Sequence, residues 1–251
     1  MLLDNKTVII TGASSGIGAA AALTFAHAGA NLVLGARRAD RLDVLCSQIE
    51  DIGASAVSLA GDVREEEYAA ALVELAGFRF GRLDAAFNNA GVMGTTGPVA
   101  YMDPDNWHDV IATNLTSAFF AAKHQVPALK VNGGGAIVFT SSFVGHTNGG
   151  LPGMAAYAAS KAGLIGLTQA LANEHGRDNI RVNALLPGGT RTDMAGDDPD
   201  THAFIAGLHA LDRMATPEEI AQAALFLLSA ASSFVTGSAM LADGGVSVRL
   251  G

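Results

Sequence analysis

The sequence predicts a single α/β domain, a doubly wound sheet of about seven parallel strands with helices on both faces. The first observation behind this prediction is a rhythm of short apolar runs that alternate with longer helical patterns along the chain. The second is that most of these runs are continuously apolar, as strands covered on both faces must be. The third is composition: 49% of the 251 residues are hydrophobic, 16% are charged and 30 are glycines, which suits a large core with tight connections.

Seven apolar runs are predicted as strands, and helices or loops connect them. The runs span residues 7–11, 31–35, 56–60, 83–88, 136–141, 180–186 and 238–241. One helix is predicted over the alanine-rich residues 19–29, and another begins at Pro217, where Glu218 and Glu219 place acidic charge near its N-terminus. Residues 1–251 are therefore predicted to form one domain, although residues 188–211 depart from the rhythm and are predicted to be a loop excursion with a short helix.

Composition and charge exclude several classes of protein. The formal net charge is -9 and no basic run extends beyond Arg37-Arg38, so we expect no nucleic-acid partner. The single cysteine, Cys46, is expected to be a buried or half-buried thiol; one cysteine builds neither a disulfide nor a zinc cluster within one chain, and no metal site is predicted. The N-terminal MLLDNKTVII has no basic segment, and its apolar run is far shorter than the roughly 20 residues of a membrane span. We expect a cytoplasmic protein with no membrane partner.

A glycine-rich loop follows the first predicted strand and runs directly into a helical pattern. Its sequence is Thr11-Gly12-Ala13-Ser14-Ser15-Gly16-Ile17-Gly18. Gly12 permits a tight turn, while Gly16 and Gly18 permit close approach of backbone to phosphate and of helix to strand. Strand, loop and helix in this order predict a variant of the Rossmann-type dinucleotide fingerprint that holds a pyrophosphate, although a purely structural turn produces a similar pattern.

The end of the second strand indicates which dinucleotide is bound. An acidic residue usually receives the ribose hydroxyls at this point, but the sequence has Arg37 and Arg38, and a guanidinium suits a 2′-phosphate. We therefore predict NADP(H) as the preferred cofactor, with NAD(H) as the alternative. In that alternative both arginines are solvated and Asp40 turns back to the ribose. Asp62 and Val63, after the third strand, are predicted to meet the adenine, unless Asp62 caps the following helix.

Four polar residues are candidates for the chemistry. Tyr157 and Lys161 lie four positions apart in an alanine-rich helical stretch, so they share one helix face. A phenol has a pKa of about 10, and an ammonium within about 4 to 6 Å favours the phenolate, so we expect Lys161 to lower the pKa of Tyr157. Ser142 follows the fifth strand at the sheet edge where α/β folds bind ligands, and Asn114 is predicted to hold a water near Lys161. Each residue also has an ordinary structural interpretation.

Together these motifs resemble those of the short-chain dehydrogenase/reductase family, of the single-domain Tyr-x-x-x-Lys type. The resemblance covers nearly the whole chain and rests on residues 11–18, Asn88-Asn89-Ala90-Gly91, Asn114, Ser142, Tyr157-x-x-x-Lys161, Pro187-Gly188 and Asp243-Gly244-Gly245. It implies that Tyr157 protonates a carbonyl oxygen during reduction, while Lys161 lowers the pKa of Tyr157 and holds the nicotinamide ribose. It also implies that Ser142 orients the carbonyl and that Asn114 supports a proton relay through water.

The resemblance implies further cofactor contacts and an assembly. The implied contacts at the ends of the fourth and sixth strands are Asn89, Ala90, Gly91, Pro187, Gly188, Gly189, Thr190 and Thr192. A homotetramer is implied, and the apolar helices near residues 115–122 and 164–172 are predicted to pack between its subunits. Two features depart from the family: the segment between Ser142 and Tyr157 is slightly longer and holds Gly149, Gly150 and Pro152, and Ser15 stands where some NADP-using members have a basic residue.

We therefore expect an NADP(H)-dependent carbonyl reductase, reversible as an alcohol dehydrogenase, that acts on a small-molecule ketone or aldehyde. The candidate pocket walls are mostly apolar, which favours a small or medium hydrophobic substrate. They are Met93, Val144, His146, Leu151, Met154, Met194 and Phe204, with His146 interpreted as a pocket or loop residue rather than a catalyst. The alternatives are an NAD-dependent dehydrogenase, a reductase of an acyl-carrier or sugar substrate, and a regulator that senses NADP(H) without turnover.

Overall fold

The chain forms one parallel sheet with helices on both faces. The computed structural model describes residues 1–147 and 151–249, so Gly149 and Gly150 of the longer segment before Tyr157 lie outside the described residues. The strands are β1 Thr7–Thr11, β2 Asn31–Ala36, β3 Ala56–Ala60, β4 Ala85–Asn88, β5 Gly135–Thr140, β6 Ile180–Pro187 and β7 Ala239–Ala242. The helices are α1 Gly16–His27, α2 Ala39–Asp51, α3 Glu66–Phe80, α4 Pro104–Ile111, α5 Ser117–Val131, α6 Ala155–His175, α7 Pro199–Gly207 and α8 Pro217–Leu228.

The strand order places a crevice in the middle of the sheet. The order is β3-β2-β1-β4-β5-β6-β7, and every neighbouring pair is parallel. The connections run outwards in opposite directions from β1 and β4, and in such sheets the carboxyl ends of the strands at this switch point leave room for a ligand. The predicted doubly wound sheet is confirmed.

The predicted bounds of some elements were wrong by a few residues, for local reasons. β4 begins at Ala85 rather than at residue 83, and the preceding Asp84 uses its carboxylate to accept the backbone N–H of Thr7. β5 ends at Thr140 rather than at residue 141, because the chain turns there towards a 3-10 turn over Phe143–Gly145. α1 begins at Gly16 rather than at residue 19, since the end of the glycine loop already forms its first helical turn.

Apolar side chains leave the sheet in both directions, which explains why the strands read as continuous apolar runs. Ile10 packs with Phe25 and Phe87 on the face covered by α1 and α8. Ile9, its neighbour along β1, packs with Leu72 and Phe139 on the face covered by α3 and α5. Burial of each such side chain contributes about 1.5–3 kcal/mol. The polar residues of β1, β4 and β5 are therefore concentrated at the strand ends.

Residues 188–211, the excursion segment, leave the sheet and contain a 3-10 turn over Asp193–Ala195 and the helix α7. The carboxylate of Asp198 begins α7 by accepting the backbone N–H of Thr201 at 3.0 Å, and Pro199 occupies the first turn. Elsewhere, Cys46 is half-buried on α2, as expected, and burial raises the pKa of its thiol. In the part of the chain that the structure describes, no helix is both long and apolar enough to cross a bilayer.

Candidate active site

A cavity of about 620 Å³ opens at the carboxyl ends of the strands, where the sheet order predicts a ligand site. Its wall combines residues from the glycine loop, the ends of β2 to β6, the start of α6 and the excursion segment. The predicted site residues in this wall are Gly12, Ser14, Ser15, Gly16, Ile17, Arg37, Arg38, Asp62, Val63, Asn89, Ala90, Gly91, Ser142, Tyr157, Lys161, Pro187, Gly188, Gly189, Thr190 and Thr192. Gly18 and Asn114 lie behind the wall.

The glycine loop has the shape of a phosphate cradle. Gly12 and Gly16 have φ of +67° and +54°, a backbone region that favours glycine. A Cβ at Gly12 would lie 2.9 Å from Cα of Ala90, and one at Gly18 would overlap the carbonyl of Gly12. Gly18 therefore brings α1 against the loop rather than lining the cavity. The N-terminus of α1 faces the site with N–H groups and positive potential, so these residues fit the pyrophosphate of a dinucleotide.

The arginines at the end of β2 border this cradle. Arg38 donates to Oγ of Ser14 at 2.9 Å and to Oγ of Ser15 at 2.8 Å, which carries positive charge across the mouth of the loop. Arg37 also lines the cavity and is exposed. Asp40, the alternative ribose acceptor, is exposed in the first turn of α2 and is not part of the described cavity wall.

Asp62 does not cap the next helix, so that alternative was wrong. α3 has Glu65 at its N-cap, whereas the Asp62 carboxylate pairs with the guanidinium of Arg64 at 2.7 Å and accepts the Arg64 backbone N–H at 3.0 Å. The Arg64 guanidinium holds the pKa of the Asp62 carboxyl below its ordinary value. Asp62, Val63 and Arg64 line the same end of the cavity, so Asp62 remains a candidate contact for the adenine.

Tyr157 and Lys161 lie one turn apart at the start of α6 and face the cavity together, as their spacing predicts. Nζ of Lys161 is 5.5 Å from the centre of the Tyr157 ring and donates to the Thr140 carbonyl at 2.7 Å. Ser142, buried just beyond β5, lies close enough to the Tyr157 side chain to influence the pKa of its phenol. One hydroxyl, one phenol and one amine therefore meet at the end of β5.

The net shift in the pKa of Tyr157 is upward, whereas we expected Lys161 to lower it. Protein atoms surround Tyr157 densely, and this desolvation raises the pKa of the phenol above its ordinary value of 10.0, although the ring keeps some exposure to the cavity. The nearby Ser142 hydroxyl opposes that rise in the pKa of Tyr157. Lys161 is 3% exposed, and burial lowers the pKa of its own amine from 10.5 to about 8. Desolvation therefore outweighs the attraction that the i, i+4 spacing implies, and the phenol remains protonated near neutral pH.

The side chain of Asn114 makes three hydrogen bonds to two residues, Val92 and Ser160. It lies in a π-helical turn, Ala112–Thr116, between α4 and α5, and is 2% exposed. Its Oδ1 accepts the Val92 N–H at 2.8 Å, and its Nδ2 donates to the Val92 carbonyl at 2.8 Å and to Oγ of Ser160 at 2.9 Å. A Cβ at Gly91 would lie 3.2 Å from both Oδ1 of Asn114 and Nζ of Lys161. Asn114 thus fixes the backbone beside Lys161; its predicted water relay remains a prediction.

The end of the cavity away from the glycine loop is apolar. Six of the predicted wall residues line it, namely Met93, Val144, Leu151, Met154, Met194 and Phe204. The seventh, His146, is exposed and is not part of the described wall, so its assignment to the pocket was wrong. It lies at the end of the 3-10 turn over Phe143–Gly145, which directs its side chain to the surface rather than to the cavity.

Sequence reasoning missed other wall residues from the excursion segment and the C-terminus. They are Asp193, Ala195, Thr201, Ile205, Leu208, His209 and Val246, together with Thr96 and Phe143 nearer the centre. Asp193 reaches back to the arginine side, with its carboxylate 3.3 Å from Nη1 of Arg41 and 3.9 Å from Nη1 of Arg38. Thr192 packs against Gly16, since a Cβ at Gly16 would lie 3.0 Å from Cγ2 of Thr192. The excursion segment therefore covers the cradle as well as the apolar end.

Comparison with known proteins identifies the relatives of this chain. A family model described as "Enoyl-(Acyl carrier protein) reductase" matches residues 12–247. The A-factor type gamma-butyrolactone 1′-reductase (1S-forming) of Streptomyces virginiae is 41% identical, with 98% of this chain and 97% of the relative covered. Cyclohexanol dehydrogenase of Acinetobacter sp. (strain SE19) is 37% identical, with 96% and 94% covered. Both relatives therefore match over nearly their full lengths.

Solved structures of related proteins have the same fold as this chain. A short-chain type dehydrogenase/reductase from Mycobacterium marinum superposes with a TM-score of 0.94 at 35% identity, covering 98% of this chain and 97% of that one. Carveol dehydrogenase from Mycobacterium avium in complex with NAD superposes with a TM-score of 0.95 at 30% identity, covering 99% of each chain. The similarity thus extends through the sheet, the cavity and the excursion segment.

Proposed function

The chain belongs to the short-chain dehydrogenase/reductase family and is an oxidoreductase, and we propose that it reduces a ketone or aldehyde to an alcohol, reversibly, with NADP(H). The observation that carries this proposal is the meeting of Ser142, Tyr157 and Lys161 at the end of a cavity whose other end is a phosphate cradle. When bound, the reduced cofactor supplies the hydride. The remaining chemistry falls to residues of the chain.

Tyr157 is proposed as the proton donor. Burial keeps its phenol protonated near neutral pH, so a carbonyl oxygen beside it meets an acid rather than a phenolate. The Ser142 hydroxyl, beside Tyr157 in the cavity wall, orients that oxygen. As the proton leaves Tyr157, negative charge develops on the phenol, and the Lys161 amine in its protonated form stabilises it from 5.5 Å. Asn114 holds the backbone beside Lys161 and thereby its position.

NADP(H) is proposed as the preferred cofactor because of the charge beside the cradle. Arg37 and Arg38 lie in the cavity wall where an acidic residue would receive the ribose, and Arg38 is already bound to Ser14 and Ser15 at the loop. A guanidinium in this position pairs with a 2′-phosphate through two parallel hydrogen bonds. One structural neighbour, the carveol dehydrogenase, was solved with NAD, so both cofactors belong in the test.

A neutral alicyclic carbonyl compound is proposed as the substrate. The six apolar wall residues, Met93, Val144, Leu151, Met154, Met194 and Phe204, present mainly carbon and sulfur to the cavity, and among the described residues the arginines of the wall all lie towards the cradle. Relatives of this chain include dehydrogenases named for cyclohexanol and for cis-4-hydroxycyclohexanecarboxylate. The first substrate is neutral and the second carries a charge that this cavity would leave unpaired.

The proposal also includes a homotetramer, formed through the helices α5 and α6. Phe119, in the predicted interface stretch 115–122, is 50% exposed, and the surface face of α6 carries small residues such as Ala162 and Gly166. A second subunit seated on these helices would cover an apolar surface that is otherwise in water. Light scattering of the purified protein would measure the mass of the assembly; a monomer at micromolar concentration contradicts this part.

The experiment that tests the proposal is a cofactor-oxidation screen of the purified protein with NADPH and NADH. Cyclohexanone and 4-oxocyclohexanecarboxylate form a matched pair, because they differ by one carboxylate. We expect oxidation of NADPH in preference to NADH, and a kcat/KM for cyclohexanone at least about tenfold higher than for the carboxylated ketone. No oxidation of either cofactor with any carbonyl compound contradicts the proposal, and a preference for NADH refutes its cofactor assignment.

A further inference from the structure

One buried histidine of the excursion segment bonds to the backbone on both sides of its ring. His209 is 3% exposed, two residues after α7. Its Nε2 lies 2.9 Å from the backbone nitrogen of Gly189, and its Nδ1 lies 2.8 Å from the carbonyl oxygen of Ile205. A backbone N–H only donates and a carbonyl only accepts, so Nε2 is the acceptor and Nδ1 carries the proton. The two contacts together require the neutral imidazole in one tautomer.

Three glycines make room for this ring. A Cβ at Gly188 would lie 2.7 Å from Nε2 of His209, one at Gly189 would lie 2.9 Å from its Cε1, and one at Gly244 would lie 3.2 Å from its Cδ2. These glycines come from the end of β6 and from the turn after β7. The backbone therefore approaches the imidazole closely in three places, which only residues without a side chain allow. A side chain at any of these three glycines would therefore crowd the imidazole of His209.

The bond from His209 supports a loop that the proposed function needs. All residues of the loop 187–192 except Arg191 line the cavity. On the other side of the loop, the Gly189 carbonyl accepts the Ala215 N–H at 2.9 Å and the Arg191 N–H donates to the Ala215 carbonyl at 3.0 Å. His209 supplies the support on the opposite side. Without it, the N–H of Gly189 would be left without this partner, and the loop would be held by its bonds to Ala215 and by the Gly188 N–H bond to the Ala242 carbonyl.

We propose that His209 is a positioning residue, which fixes the loop at residues 187–192 and thereby its contribution to cofactor binding. The inference rests on the proposed function, since it assigns this loop to the cofactor. The Gly189 N–H already donates to His209, so this N–H sets the shape of the loop rather than contacting a ligand. His209 also lies in the cavity wall, but both of its ring nitrogens are bonded to backbone, so we assign its effect on cofactor binding to the loop that it holds.

The test compares His209→Leu, which removes the acceptor, with His209→Gln, whose side-chain oxygen restores an acceptor near the position of Nε2. We expect His209→Leu to raise the dissociation constant and the KM of the cofactor about tenfold, with kcat changed less than about threefold. His209→Gln is expected to recover most of that loss. His202→Leu, on α7 with its imidazole bonded to an exposed loop carbonyl, is the matched control and is expected to leave cofactor binding unchanged. A purely structural role would lower Tm in His209→Leu without a selective rise in KM.

Two measurements on the free protein separate this proposal from the proposed function. Nitrogen-15 NMR of the imidazole is expected to show the neutral form protonated at Nδ1, and hydrogen exchange of the Gly189 amide is expected to speed up at least about tenfold in His209→Leu. Neither needs turnover, and the imidazole NMR is recorded on the wild type, so it remains valid even where only His209→Gln folds. A charged imidazole, the other tautomer, or cofactor affinity unchanged in a folded His209→Leu overturns the proposal. If these results hold but no carbonyl compound is reduced, the proposed function fails and the positioning role stands.

Discussion

The two ends of the cavity hold cations in opposite environments. At the cradle end, Arg37 and Arg38 are exposed, and Arg38 is within reach of two serines and a carboxylate. At the apolar end, Lys161 is 3% exposed, and among the described contacts its amine donates to one backbone carbonyl. Burial lowers the pKa of the Lys161 amine to about 8. The cations at the two ends of the cavity therefore differ in their exposure to solvent: the arginines beside the cradle are exposed and Lys161 is buried.

This difference in exposure suits one end of the cavity to binding an anion and the other to proton transfer. Exposed arginines interact with a ligand through screened charge and directional hydrogen bonds, which select an anion without a large desolvation cost. A buried amine and a half-buried phenol interact in a medium of lower effective dielectric than water, so a change of charge on one of them matters more to the other. Substitutions at the two ends should therefore differ in size, and in whether they act on turnover or on binding.

The largest effect is expected from removing the buried cation. Lys161→Met deletes the charge that stabilises the developing phenolate and the bond to the Thr140 carbonyl, so kcat should fall by about 10² or more. Steady-state turnover at saturating NADPH measures it. Lys130→Met, at an exposed lysine paired with Asp178 on the surface, is the matched control and should turn over like the wild type. Similar kcat values for Lys161→Met and the control would show that the buried amine is dispensable.

Burial of Lys161 should also appear in the dependence of stability on pH. The folded pKa is about 8 and the unfolded value 10.5, so between these values the unfolded chain binds more protons and stability rises with pH. Relative to Lys161→Met, the wild type should gain about 2 kcal/mol between pH 7 and pH 9.5. Urea denaturation at the two pH values measures the gain. Parallel curves for the two proteins would mean that the amine is solvated; measurements stay below pH 10, where tyrosines of the unfolded chain begin to titrate.

At the cradle end, Arg37→Ala should weaken binding of NADPH about tenfold and leave binding of NADH almost unchanged, because NADPH alone carries the 2′-phosphate. Fluorescence titration of the reduced cofactors measures both constants. Arg79→Ala, at an exposed arginine near the end of α3, controls for the loss of one surface charge. Equal losses for the two cofactors in Arg37→Ala would refute the role of this residue in recognising the phosphate.

The smallest effect is expected at Asp193, whose carboxylate lies near both Arg38 and Arg41 and competes for them with an incoming phosphate. Because the pair is exposed, Asp193→Asn should improve the KM for NADPH by about twofold and leave that for NADH unaltered. Asp197→Asn, on the same loop and outside the described cavity wall, should have no effect. A weaker affinity for NADPH in Asp193→Asn would show that the carboxylate supports the site instead of competing for it.

The sequence predicts those parts of the fold and site that depend on neighbours along the chain. The pairing of Tyr157 with Lys161 follows from the period of a helix, and the cradle at residues 11–18 follows from the spacing of glycines after a strand. The excursion at residues 188–211 shows as a break in the rhythm. The side-chain chemistry of these features is local, so one sequence is enough to find them.

Features that depend on contacts distant in the chain were missed or misjudged. The pKa of Tyr157 is raised rather than lowered because segments distant in sequence surround it, and no spacing on α6 reports that burial. His209 meets Gly189 twenty residues away, and Asp193 meets Arg41 across 152 positions. His146 was assigned to the pocket from its place in the chain, although the turn before it leaves it at the surface. Only the folded chain shows which of these polar residues share an environment.

The most direct test of the account is the turnover of Tyr157→Phe, with binding of NADPH measured on the same preparation. The substitution removes one oxygen and leaves the ring, so the cavity and the cradle should keep their shape. The account predicts that kcat for a neutral ketone falls by about 10³ while the dissociation constant of NADPH changes less than about twofold. Normal binding of NADPH together with undiminished turnover would contradict the assignment of Tyr157 as the proton donor.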